Sequence, residues 1–169
     1  MNLSPEEFNP YYTPYIENAT TAKSIAESLV LNKNSVSDFY SNIPENKLNY
    51  AYAEGKWTPK DMLLHLIDTE RVFSYRAMRI ARQDKTELAG FEQDGYVSAG
   101  KANERSIGDL IEEYNTVRNA TIALFNSFSD TELKSIGSAN GSPISVRAIG
   151  YIITGHENHH NNVIRERYL

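Results

Sequence analysis

Apolar residues recur at helical spacing in four stretches of this chain and almost nowhere alternate as a half-buried strand requires. Ile25, Ala26, Leu29, Val36, Phe39 and Ile43 form the first stripe, which predicts a helix from about Thr21 to Asn42 that stops before Pro44. Asn32-Lys33-Asn34-Ser35 is a weak spot in its middle. A second helix opens at Thr58-Pro59, where threonine caps, proline suits the first helical position and Asp61 meets the positive end of the dipole. Its stripe of Met62, Leu66, Phe73, Ala77 and Ile80 carries it to about Gln83. The third is announced by Ser106 with Asp109 three residues on, a variant of the capping box, and continues to about Phe128. Ser142 and Pro143 repeat the cap-plus-proline signal and predict a fourth helix to about Arg167.

The segments between are set by proline and glycine. Pro5, Pro10 and Pro14 make residues 1–20 an arm laid over the domain rather than a regular helix. Lys85 to Glu104 holds three glycines and no sustained period, which predicts a long crossover of the kind that often borders a site. Gly137-Ser-Ala-Asn-Gly141 breaks the chain before the fourth helix. Helices over about 21–42, 59–83, 106–128 and 143–167, with a long crossover between the second and third, predict an all-α four-helix bundle spanning 1–169 as a single domain. Internal repeats, low-complexity tracts and a strict heptad are missing.

Composition narrows the partners. In 169 residues the chain is 40% hydrophobic, which is ample for a packed core. A formal net charge of −5 with no block of lysine or arginine excludes the electrostatic footprint of a nucleic-acid binder. Cysteine is absent, so any metal must be held by nitrogen and oxygen. The start, Met-Asn-Leu-Ser-Pro-Glu-Glu, has neither a basic nor an apolar leader region, and no stretch approaches the ~20 apolar residues of a membrane span. A cytoplasmic protein with no membrane partner is the default expectation.

The candidate chemistry lies in the histidines. At ~100° per residue, measured from His156, the apolar residues of the last helix point to a mean direction of about 20°. His156 at 0° and His160 at about 40° straddle that direction, while His159 near −60° lies to one side. Two imidazoles on a buried face need partners, since an unsatisfied buried polar group costs about 1–3 kcal/mol. They read either as a metal pair or as core histidines bonded to neighbouring side chains. His65 lies on a polar strip of the second helix with Asp61, Asp68, Thr69, Val72, Arg76 and Arg79. That strip reads as a solvated face, or, if His65 meets the other two, as the polar wall of a cleft in which Asp68 or Asp61 orients an imidazole.

His156-Glu157-Asn158-His159-His160 also matches H-E-x-x-H, the zinc helix of metalloproteases. The protease reading fails on the third ligand, because the downstream glutamate or the Gly/His extension has no place in the nine residues after His160. Glu157 is then a candidate catalytic base or a solvated charge. Trp57 reads as a packing anchor, and Tyr75, Tyr96 and Tyr114 as lining of either the site or the core.

Three segments resemble the DinB/YfiT-like four-helix-bundle proteins: Gly55 to Arg71 with His65, Asp84 to Asp94, and Ser145 to Tyr168 with His156 and His160. The resemblance spans most of the chain. It implies a metal triad of His65, His156 and His160, a divalent cation (zinc or nickel), a small-molecule substrate and a homodimer. It also implies an enzyme, with several activities open. The leading expectation is an S-transferase using a low-molecular-weight thiol as cosubstrate, the thiol losing its proton on coordination. The alternatives are a hydrolase of a small amide or ester, in which the metal lowers the pKa of water towards ~7, and a non-catalytic metal-binding stress protein.

Overall fold

The computed structural model describes residues 3–169, so positions 1 and 2 of the predicted arm lie outside it. Four long helices dominate: α2 (Ile25–Ser41), α4 (Pro59–Ala81), α6 (Ile107–Asn126) and α8 (Val146–Arg167). The shorter elements are α1 (Thr13–Glu17), α3 (Glu45–Leu48), α5 (Gln93–Gly100), α7 (Asp130–Leu133) and a hairpin of β1 (Ile136–Ala139) and β2 (Ser142–Ser145). α2 packs on α6 and α8, and so does α4, which places α2 opposite α4 and α6 opposite α8 across the bundle axis. The first and second long helices are therefore diagonal, as are the third and fourth, while α4 and α6 are neighbours, and both α2–α4 and α6–α8 connections cross an end of the bundle. No described helix is long and apolar enough to cross a membrane.

The starts of α4 and α6 follow the expected caps. Thr58 Oγ1 accepts from Asp61 N while the Asp61 carboxylate accepts from Thr58 N, and Ser106 Oγ accepts from Asp109 N. The start of α8 does not. Ser142 and Pro143 lie in β2, antiparallel to β1, and the N-cap is Ser145, whose Oγ accepts from Ala148 N. The hairpin was missed because its four-residue strands are too short to show a period. Its turn was nonetheless written in the sequence: Asn140 and Gly141 have φ of 53° and 72°, the left-handed pair that an Asn-Gly turn between strands favours.

Two apolar clusters fill the bundle, one around Leu29, Phe73, Phe125 and Ile149, the other around Tyr40, Leu63, Leu110 and Ile164. Between them a buried hydrogen-bonded layer draws on every long helix, through Asn32, Glu70, Arg118 and Glu157. Arg118 donates to both Glu70 oxygens at 2.8 Å, to Leu29 O at 3.2 Å and to Glu157. Asn32 Nδ2 donates to Thr154 O at 3.1 Å and Glu157 Oε2 at 2.9 Å. The suspected weak spot in the first helix is thus a continuous turn held by its buried asparagine.

The arm and crossover carry more structure than their composition suggests. Glu7 is buried, accepts from Ser145 Oγ at 2.8 Å and from Arg147 Nε at 2.6 Å, and so ties the arm to the first turn of α8. In the crossover, Leu88 bridges to Ala139 of the hairpin, and α5 follows.

Candidate metal centre

Polar residues mid-bundle turn α8 so that alternate faces do different jobs. Glu157 enters the buried layer, while His156 and His160, about 100° and 60° round the helix from it, meet His65 of α4. His65 Nε2 lies 3.1 Å from His156 Nε2, and His156 Nε2 lies 3.0 Å from His160 Nε2. The ligand atoms of all three fall within 4.8 Å of one another, and no other such group of histidine and carboxylate side chains occurs among the described residues. With metal–nitrogen bonds of ~2.1 Å, two imidazoles at a right angle have nitrogens ~3.0 Å apart and at the tetrahedral angle ~3.4 Å. Both separations from His156 fall within that range, so the donor chemistry suits a divalent cation. Burial also keeps the rings neutral, the form a metal needs. It pushes His65 down to about 4 and His160 to about 3, the latter helped by the neighbouring histidines, and holds His156 well below the ordinary range.

Aromatic rings hold the imidazoles in place. Trp57 lies 4.8 Å from the His65 ring and stacks on His160 at 6.3 Å, so the expected packing anchor packs on the triad itself. Tyr15 sits edge-on to His156 at 5.1 Å. Its approach depends on Gly155, where an added Cβ would stand 1.7 Å from Tyr15 O. His159 is exposed and outside the group of converging nitrogens, its ring edge-on to Tyr15 at 5.5 Å and to His160 at 5.3 Å.

Two expectations need correction. Glu157 is no solvated charge: it is 2% exposed, with Oε1 accepting from Tyr114 Oη at 2.8 Å and from Arg118 and Oε2 accepting from Asn32. Burial raises its pKa above the ordinary carboxylate range, against the pull of Arg118. All three of these hydrogen bonds run into the polar layer, and none runs to the triad. Asp68 does not orient an imidazole either, since its carboxylate pairs with Arg71 at 3.1 Å. Asp61 is occupied by Thr58 and Asn103. Thr69 Oγ1, 3.5 Å from His65 Nδ1, is the nearest group to that role. Of the tyrosines, Tyr114 belongs to the core, and Tyr75 and Tyr96 are about half exposed.

A cleft of about 370 Å³ leads to His156. α4 supplies Thr69, Phe73 and Arg76 to its wall, the arm supplies Tyr12 and Tyr15, and the crossover and hairpin close the far rim. The polar strip around His65 therefore is a cleft wall for part of its length, through Thr69 and Arg76. Sequence reasoning overlooked Arg118, although a lone arginine among the apolar positions of the third helix was a signal for it.

The comparisons agree with this architecture. No curated protein sequence matches the chain significantly. Among solved structures, YfiT from Bacillus subtilis, described as a probable metal-dependent hydrolase with an unusual four-helix bundle topology, is similar with a TM-score of 0.70 and 14% identity, over 98% of this chain and 90% of that one. A DinB-like protein from Bacillus subtilis, YjoA, is similar with a TM-score of 0.59 and 17% identity, over 84% of this chain and 87% of that one. The sequence model of the DinB superfamily matches residues 29–164, most of the length and all three histidines, and this chain belongs to that superfamily.

Proposed function

We propose that the protein is a metal-dependent enzyme in which His65, His156 and His160 bind one divalent cation, zinc or nickel, and a small molecule reacts in the adjoining cleft. The convergence of three neutral imidazole nitrogens within 4.8 Å carries this reading. When bound, the cation supplies the Lewis acidity that makes a water or a thiol nucleophilic at neutral pH.

The residues around the triad favour thiol transfer as the reaction. Glu157, Asp68 and Asp61 are held by Arg118, Arg71 and Asn103, so none of these three is left to take a proton from water or return it to a leaving group, and Asp94, which acts on His65 through space, is the remaining carboxylate near the triad. A low-molecular-weight thiol would need neither service: held at the cation it would give its proton to solvent, and a displacement would form the new C–S bond as the leaving group departs as an anion. Tyr15, Trp57 and Phe73 would hold the cosubstrate and exclude water. The second reading, hydrolysis of a small amide or ester, is favoured by the likeness to YfiT, described as a probable metal-dependent hydrolase.

Elemental analysis of the natively purified protein tests the centre: about one zinc or nickel per chain is expected, falling below about 0.1 in His65→Ala and His156→Ala. Unchanged metal in those variants overturns the site. Turnover of a generic electrophile only with added thiol supports transfer, whereas ester or amide cleavage without thiol replaces it by hydrolysis.

A further inference from the structure

The wall of the cleft away from the histidines holds a buried cation whose charge the protein leaves unbalanced. Arg76 is 3% exposed, and none of the ion pairs among the described residues includes it. Its guanidinium lies over Phe73 at 5.4 Å and Phe91 at 5.9 Å, donates from Nη2 to Ala89 O at 2.6 Å and has the Tyr12 hydroxyl beside it. Glu87, the acid that acts on it through space, is held by Ser138 and Gly141 N. Glu92, which also lines the cleft, turns Oε1 back to accept from Asp94 N at 3.3 Å and caps α5. Buried polar atoms with no partner at all are confined, among the described residues, to Tyr40 Oη and Asn161 Oδ1. The remaining Arg76 N–H groups therefore open on the cleft.

A buried guanidinium without a counter-charge is costly, and a ligand that supplies the charge recovers that cost on binding. We infer that Arg76 is the anion anchor of the cleft, and that the molecule bound there carries a carboxylate at the end remote from the histidines. Which end of that molecule reacts rests on the metal-centre reading above. A carboxylate suits the site better than a phosphate, since Arg76 is the one lysine or arginine in the lining among the described residues, its planar fork matches a carboxylate, and a dianion would be left half compensated. Arg76 stands three helical turns beyond His65, a rise of about 16 Å, and helical side chains lean back towards the N-terminus, leaving on the order of 10 Å between anion and metal. Phe73 and Ile152 line the stretch between, so the body of the molecule is an alkyl or aryl segment of that length.

Isothermal titration of the metal-loaded protein with 6-mercaptohexanoate and its neutral amide tests the anchor. The acid should bind about tenfold more tightly than the amide to the unaltered chain, and the preference should shrink to within about twofold in Arg76→Gln with metal content unchanged. Arg76→Lys, which keeps the charge but not the fork, should retain part of it. Equal binding of acid and amide by the unaltered chain overturns the proposal with no variant needed, as does a preference that survives in a folded Arg76→Gln. Chelated protein separates this from the metal reading: hexanoate should raise the melting temperature more than hexanamide whether or not the histidines hold a metal, and no such difference overturns the anchor alone.

Discussion

A single glutamate shows how the same motif supports two different chemistries. In His156-Glu157-x-x-His160 the histidines meet His65 and the glutamate meets Arg118, Tyr114 and Asn32 further round the helix. Its contribution is to hold α8 at the rotation that presents both imidazoles. Glu157→Gln should therefore lower stability by about 2 kcal/mol, because it leaves Arg118 with one buried carboxylate, while the metal content stays at the level of the unaltered protein. Denaturant melts and elemental analysis of the same preparation check both halves; full stability with lost turnover would instead make Glu157 a catalytic base. The histidines were legible residue by residue, since wheel angles alone separated His156 and His160 from His159. Arg118 and Asn32 were not, because the partners that make a buried polar residue tolerable come from other helices.

Among the elements, helix existence was legible and helix starts were legible where the cap was local. α4 and α6 begin at Thr58 and Ser106 because each serine or threonine finds its acceptor role within three residues. The cap-plus-proline signal at Ser142 failed because pairing with β1 competes for the same backbone groups and wins, moving the cap to Ser145. The arm was read as a covering and is a brace as well. Glu7 is held at about 2 chiefly by Arg147, below the ordinary value of 4.5, so the folded state binds its proton less readily than the unfolded chain. That stabilisation is complete above pH about 4.5 and is lost as pH falls towards 2. Glu7→Gln should lower stability by about 2 kcal/mol at pH 7 and by progressively less below pH 4, measured by urea titration across that range.

At the scale of the whole molecule, packing ties the metal centre to stability. His65 and His160 are held neutral down to about 4 and 3, whereas the unfolded chain takes up their protons near 6.5. Between those values the unfolded state binds more protons, so the metal-free protein loses stability as pH falls from 6.5, by on the order of 2 kcal/mol at pH 5. Saturating zinc or nickel at pH 7 should raise the melting temperature, and the gain should vanish on acidification as protons displace the metal. Calorimetry with and without a chelator checks this, and identical melts at pH 7 would remove the metal from the folded state. The sequence by itself determined that four amphipathic helices form, that they make a bundle, and that His156 and His160 turn towards its interior, because periodicity and capping act within a few residues. Only the tertiary structure decided that α2 lies diagonal to α4 and α6 to α8, that the three imidazole nitrogens converge, that Glu157 serves a buried charge network and that Arg76 opens on the cleft. Each of those depends on groups far apart in the chain, whose burial and partners exist only once the helices have packed.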